Sequence, residues 1–392
     1  MLSCLCSTFC FLSNITYGQS IYDSIKIKEP KHYFNTVIFA DFYNKPEQAI
    51  NDSNSFSEFI SDRLKTYGIK QNVIGFYTPI ATVKKFKHDS VTYSNTHYLL
   101  TGHLMSLQPK FEGLATHNLV KVGVGLRIVH NSGKKGVWFI DFSPFVTKDV
   151  TFKDDKGYFR MANSLIYSHN FSPRFNLRLG FTKSFLWGNR NYLPYLGLRL
   201  GRLDKFHFTM QIPKNIAFNF PINNKAMISL YSKPQGGMFT FSNKDSLYYF
   251  NREAKYFYFS RYEILTGLRF DGSIGNNFSY YVALGTSSKN RIAFYSEKAN
   301  NSNDPSKQYK TYFYFKDFKS TGFLNLGLVF RFGKTKSVFN NRNLYDVMDL
   351  NNTIGVGDNN INPGSRIPIE QSIKQSKLNL ADIQDLIDAN DF

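Results

Sequence analysis

Cysteine is almost missing from this sequence: all three, Cys4, Cys6 and Cys10, fall within its first ten residues. Removal of that segment on export would leave no disulfide, no thiolate chemistry and no cysteine zinc site. Long hydrophobic runs are missing as well. No internal stretch reaches the roughly 18 apolar residues of a membrane helix, which excludes a helical membrane protein unless the N-terminus is the span. Acidic residues are scarce, 29 against 48 basic ones, and the net charge of +19 is unevenly spread. Residues 341–392 carry four basic and eight acidic residues, a net of −4, so the rest of the chain stands at +23. No Lys/Arg block accompanies a nucleic-acid motif, and no nucleic-acid partner is expected.

Chemical motifs are also lacking. None of the eight histidines has another His or a carboxylate at metal-ligand spacing, and there is no glycine-rich phosphate loop or nucleophile elbow. Two stretches, "YSNTHY" and "YSHNFS", bring Ser near His, but neighbours along a strand point to opposite faces. The expectation is therefore a protein without metal or cofactor that is not an enzyme.

What is present begins with residues 1–18, which read as a signal peptide: apolar from Leu2 to Leu12, uncharged before Asp23, with Thr16 and Gly18 before a cut near Gln19. Beyond it, a period of two recurs. In "NLRLGFTKSFLW" one face holds Phe175, Leu177, Leu179, Phe181, Phe185 and Trp187, while Arg174, Asn176, Arg178, Gly180, Thr182 and Ser184 share the other. "NLVKVGVGLRI" sets Val120, Val122, Val124, Leu126 and Ile128 against Lys121, Gly123, Gly125 and Arg127. "RYEILTGLRF" opposes Tyr262, Ile264, Leu268 and Phe270 to Glu263, Gly267 and Arg269, with Leu265 out of place. "GFLNLGLVFRFG" opposes five large apolar groups to Asn325, Gly327 and Arg331.

A soluble β-sandwich also alternates. Three features favour a wall between lipid and water instead. Many segments run ten residues or more, near what a tilted strand needs to cross a bilayer. The polar face is rich in glycine and arginine, and aromatics such as Phe185 with Trp187, and Tyr312 to Phe315, cluster at strand ends as an interfacial girdle would. The expected fold is all-β, a transmembrane antiparallel up-and-down β-barrel over residues 30–333 with about fourteen strands, or twelve if the short pair around Ile212 and Pro213 merges. Short turns then fall on the periplasmic side. Residues 45–71, 148–157, 243–254 and 288–309 become long outer connections. A helix is expected in the first of these, where Phe56, Phe59, Ile60 and Leu64 have helical spacing and Ser55 and Glu58 are in capping-box register. Residues 334–392 form an acidic periplasmic extension, with Asn379 positioned to cap a terminal helix bearing Ile383, Leu386 and Ile387.

The stretch "LPYLGLRLGRLDKFHFTMQIPKNIAFNFPINNKAMISLYSKPQGGMFTF" resembles a family of uncharacterised outer-membrane β-barrel proteins of Gram-negative bacteria, a domain of unknown function. The matching positions are Pro194, Gly197, Pro213 and the pair Gly236 and Gly237, with Glu263 and Gly267 in the later "YEILTGLRF". The resemblance spans roughly residues 30–333 and implies a barrel but no activity.

The candidate site is the lumen. Lys121, Arg127, Arg174, Arg178, Arg199, Arg269 and Arg331 lie on inward registers, with Glu263 as the clear acid among them. Two readings stay open: arginines fastened to Glu263 inside a narrow barrel, or a porin-like path for small anionic solutes, favoured by the field of fixed charges in a low-dielectric wall. The expected location is the outer membrane, with its lipid and the barrel-assembly machinery as partners. An outer-membrane lipid-modifying enzyme and a soluble secreted β-protein are the alternatives.

Overall fold

The computed structural model describes residues 36–57, 66–86, 93–112, 116–131, 136–151, 157–172, 174–186, 191–202, 205–223, 225–242, 257–275, 277–299 and 308–332. The expected signal peptide and the acidic tail with its terminal helix lie outside the described residues.

The described chain forms one antiparallel sheet. Its first strands are β1 (Thr36–Ser57), β2 (Thr66–Phe86), β3 (Tyr93–Phe111), β4 (Leu119–Asn131), β5 (Gly136–Asp149), β6 (Tyr158–Ser172) and β7 (Phe175–Ser184). Then come β8 (Asn191–Gly201), β9 (His207–Ile212), β10 (Asn215–Asn223), β11 (Ala226–Phe241), β12 (Phe257–Ile274), β13 (Phe278–Ala299), β14 (Gln308–Phe318) and β15 (Thr321–Phe332). Each strand through β13 pairs with the next. β14 and β15 together occupy one place between β13 and β1, interrupted at Lys319 and Ser320. The sheet is thus a closed barrel of fourteen staves. The alternative of twelve fails because β9 and β10 are separate strands, paired from His207 opposite Asn219 to Gln211 opposite Asn215.

Closure with an even number of staves brings the start of β1 and the finish of β15 to the same end, together with the turns after β2, β4, β6, β8, β10 and β12. These turns are short. Two need a residue with positive φ, supplied by Gly201 (φ 103) and Gly275 (φ 66), where any other residue would be strained. The opposite, or far, end carries the connection across residues 243–256.

Alternation decides what each face meets. Outward residues on every stave are large, apolar and exposed: Ile38, Ile74, Leu104, Val122, Phe142, Leu165, Leu179, Leu196, Ile212, Phe218, Leu230, Leu268, Leu284 and Leu326. Inward residues are buried and mostly polar or aromatic. Leu265, out of step in the sequence, is buried in the interior among aromatics.

Several expectations are corrected. The first outer connection does not run over 45–71. β1 continues to Ser57, laddered to β14 with Phe56 opposite Phe315, and β2 begins at Thr66. Ser55 and Phe56 are therefore in a strand, not a helix, because cross-strand pairing outweighs a short 3.6-residue pattern; Glu58, Phe59, Ile60 and Leu64 lie outside the described residues. β13 likewise extends to Ala299, well into the supposed loop 288–309. Phe185 does not join an outer girdle but packs inside against Phe145, ring centroids 5.3 Å apart. Trp187 and the side chains of Tyr312 to Phe315 lie outside the described residues.

Phe185 turns inward because the wall is low there. Strands β7 to β10 hold 10, 11, 6 and 9 residues, whereas β1, β2 and β13 hold 22, 21 and 22. Over this low arc the taller β11 leans inward, and from Met238 to Phe241 both of its faces are buried. The bend coincides with Gly236. A Cβ there would stand 2.2 Å from the Leu186 carbonyl oxygen and 2.5 Å from that of Arg261, so only glycine lets the segment after β7 pass behind β11.

Candidate functional site

The interior is filled in three tiers. At the far end β11 meets strands from the opposite side of the wall. The Thr147 and Thr240 hydroxyl oxygens are 2.9 Å apart, and the Thr240 amide donates to Thr147 Oγ1 at 3.3 Å. The Ser242 amide donates to Asp149 Oδ2 at 3.2 Å, and Arg160 Nη1 donates to the Met238 carbonyl at 3.1 Å. His117 Nδ1 lies 2.6 Å from Asp149 Oδ2, and its ring stacks on Phe241 with centroids 4.0 Å apart. Both members of this His and Asp pair are fully buried. Around it, Tyr67, Phe111, Phe259 and Phe294 make a chain of ring contacts from β2 and β3 to β12 and β13. The outcome is a plug made from the wall strands themselves.

The second tier centres on Glu263, whose carboxylate accepts from Lys45 Nζ (2.7 Å), Ser287 Oγ (2.8 Å), Tyr43 Oη (3.1 Å) and Arg261 Nη1 (3.1 Å). Four donors and two cations satisfy a buried charge that would otherwise be prohibitive. Arg261 also donates to Gln71 Oε1 on β2. Three irregularities coincide at this level. β1 slips register against β2 between Lys45 and Gln48, β12 slips against β13 between Tyr262 and Ile264, and the last stave is broken at Lys319. The second slip, with Lys289 at φ 53, directs Asn290 to Lys45 (3.2 Å) and to the Lys319 carbonyl (2.9 Å). Such bulges re-aim side chains; here they aim them at one carboxylate.

The third tier lies towards the short-turn end and consists of local pairs. Arg127 Nε donates to Asp141 Oδ1 at 2.5 Å from directly opposite it in register, and Ser164 donates to the other oxygen at 3.1 Å. Arg269 grips Asp271 on its own strand at 2.6 Å, its guanidinium 3.8 Å from the Tyr281 ring centroid. Arg178 donates to Asn176, which donates to Ser168. Arg331 donates to Ser279 at 2.7 Å.

Of the residues singled out in sequence, Lys121, Arg127, Arg178, Arg199, Glu263, Arg269 and Arg331 are buried on the inner face. Arg174 is not among them: it occupies the turn before β7 with an exposed side chain, because β7 begins only at Phe175. Glu263 is not the single interior acid either, since Asp41, Asp141, Asp149 and Asp271 are buried with it. These aspartates, with Lys45, Arg160 and Arg261, were missed, although each stands on an inward register and the alternation alone marks them. In the two Ser-near-His stretches, His97 bonds Thr82 and His169 bonds Tyr167.

No curated protein matches the chain. Among solved structures, the beta domain of the Bordetella autotransporter BrkA is 11% identical, covering 76% of this chain and 100% of its own, with a TM-score of 0.27. A Pseudomonas aeruginosa FadL homologue is also 11% identical, over 76% of this chain and 90% of its own, with a TM-score of 0.24. The siderophore receptor PirA from Pseudomonas aeruginosa is 8% identical, over 77% and 81%, with a TM-score of 0.23. A family model, Domain of unknown function (DUF6268), matches over residues 147–331, from the end of β5 to the last stave, a narrower span than the resemblance implied, and over that span the chain is similar to this family.

Proposed function

We propose that this chain is an integral outer-membrane β-barrel with a lumen held shut by its own strands, and that its role is structural and lipid-contacting. One observation carries the membrane reading: a sheet without a free edge presents exposed apolar side chains on all fourteen staves. A soluble protein rarely exposes a contiguous apolar patch beyond a few hundred Å², whereas such a belt is what a bilayer requires. The soluble secreted alternative is thereby disfavoured. Residues 1–18, read as a signal peptide, and delivery through the barrel-assembly machinery fit the same destination. No catalytic role is proposed, since the buried His117 and Asp149 pair is engaged in tying β11 to β5.

A second reading, passage of small anionic solutes, draws on Lys121, Arg178, Arg199 and Arg331 on the inner face. It is the weaker one, because Arg127 and Arg269 are each held by an aspartate. Location is tested by fractionating cells that express the chain. The protein should stay with outer membranes after a carbonate wash and change gel mobility on boiling; release into the soluble fraction would refute the proposal.

A further inference from the structure

From β5 to β10 the outer face ends, at the short-turn end, in aromatic rings. Trp138 meets Tyr167 with centroids 4.8 Å apart, Tyr167 meets His169 at 6.1 Å, His169 meets Phe171 at 4.6 Å, and Phe171 stacks on Phe175 at 5.1 Å. On β9 and β10 the series resumes, with Phe206 5.0 Å from Phe220 and Phe208 5.0 Å from Phe218. Trp138, Phe171, Phe206 and Phe220 are exposed. Such rings gather where hydrocarbon gives way to headgroups, so this level marks one boundary of the bilayer.

Immediately beyond the rings the turns are basic. Arg174 precedes β7, Lys205 precedes β9 and Lys225 precedes β11, and all three side chains are exposed. Their turns sit side by side. The Gly201 amide, at the start of the turn that carries Lys205, donates to the Arg174 carbonyl at 2.8 Å, and Phe206 reaches from that turn to Phe220 on the strand that leads into Lys225. Asn223 Oδ1 accepts from the Lys225 amide at 2.7 Å, and the Lys225 carbonyl accepts from the Ser273 amide at 2.9 Å, which fixes the third turn. Arg202 is exposed in the same row, while the described residues of these turns include no acid and Asp204 lies outside them. The nearby Asp271 is turned inward and held by Arg269. Charge and ring are immediate neighbours in the chain, since Arg174 adjoins Phe175 and Lys205 adjoins Phe206.

We propose that this rim is a docking surface for anionic phospholipid: phosphates of the leaflet at the short-turn end pair with Arg174, Lys205 and Lys225, and the acyl chains lie along Phe171, Phe206 and Phe220. The two rows together select that partner. A long cationic side chain at the edge of an apolar surface carries its charge out to the level of the headgroups, where an anionic lipid presents its phosphate. A soluble anion would gain nothing from the rings, and a zwitterionic lipid little from the excess of positive charge. The inference rests on the barrel reading above and adds to it the class of lipid and the end of the barrel that holds it.

The test reads lipid preference beside the rim. In the full chain Trp138 and Trp187, its two tryptophans, are replaced by phenylalanine and Phe206 by tryptophan, which leaves one indole next to Lys205. Phe220→Trp in the same background is a second reporter. Each is refolded into mixed vesicles of phosphatidylcholine and phosphatidylglycerol in which one lipid or the other carries brominated chains, and quenching gives the ratio of the two association constants. At low salt the ratio should favour phosphatidylglycerol about fivefold, the effect of one basic side chain at an anionic surface, and fall towards one as salt rises. Lys205→Gln should remove most of the preference at the first reporter, and Arg174→Gln, Lys205→Gln and Lys225→Gln together should abolish it at both. Lys70→Gln, exposed towards the far end of β2, should leave it unchanged. A ratio of one in the parent, or a preference that survives the triple replacement, would overturn the proposal. Quenching by neither lipid would show that the rings do not face hydrocarbon and would overturn it as well. Heat-modifiable mobility of the same samples separates the two claims: a folded barrel without lipid preference sinks this surface alone, and a chain that never folds as a barrel sinks the reading beneath it.

Discussion

Tyr281 on β13 and Asp41 on β1 are not on neighbouring staves, yet the Tyr281 hydroxyl donates to Asp41 Oδ2 at 2.6 Å. Between them in register is Gly327, opposite Tyr281 on one side and Asp41 on the other. Having no side chain, it leaves the inner face of the last stave clear for the phenol to cross. The bond ties three staves where the barrel closes, where no covalent link holds first strand to last. Tyr281→Phe should cost about 1 to 3 kcal/mol, the penalty of stripping a donor from a buried carboxylate. The readout is the temperature at which the folded band is lost on unboiled gels, and an unchanged temperature would show that the bond does not stabilise the closure.

Glu263 should be more costly to neutralise. Glu263→Gln leaves Lys45 and Arg261 facing each other without their shared carboxylate, and breaking a buried pair in this way costs about 3 to 5 kcal/mol. Urea titration of the refolded barrel checks this. A midpoint equal to that of the unaltered chain would mean that water or another group compensates the two cations.

The plug is open to covalent capture. With Cys4, Cys6 and Cys10 the only cysteines, Thr147→Cys combined with Thr240→Cys introduces one new pair into the barrel. The native hydroxyl oxygens are 2.9 Å apart, so the new thiols should oxidise to a disulfide within the folded barrel. A folded double variant whose thiols both remain titratable would show that β11 does not reach β5.

The apolar belt makes a depth-dependent prediction. An arginine at the bilayer midplane costs a barrel roughly 2 to 4 kcal/mol, and near the interface about 0 to 1. Leu326→Arg, midway along β15, should therefore be much more damaging than Phe332→Arg at its last residue, although both positions are outward and exposed. Equal folding yields in lipid vesicles would contradict the placement of the belt.

The barrel was largely legible in sequence because one rule, alternation, repeats on every stave: Leu324, Leu326 and Leu328 face out and Asn325 and Arg331 face in as that rule requires. Stave number followed from the same rule and from turn residues such as Gly275. What alternation cannot supply is register. That Arg127 meets Asp141 depends on how β4 and β5 slide past each other, and that Glu263 gathers Lys45, Tyr43 and Ser287 depends on bulges with no mark in the residue pattern. Unequal strand length was also hidden. Phe185 follows the outward register in sequence but lies inside, because β7 ends at Ser184 and the chain folds over a low wall. The inward lean of β11 shows in sequence only as the adjacent glycines Gly236 and Gly237.

The central claim is that the lumen is shut by the barrel's own strands, and single-channel recording of the purified chain in planar bilayers tests it most directly. Insertion is established first on the same preparation by heat-modifiable mobility in lipid vesicles. With Thr147 against Thr240 and Glu263 saturated by its four donors, the inserted barrel should show no stepwise conductance above the lipid baseline. Steady ohmic steps from the unaltered chain would contradict the account and mark the interior as an open path.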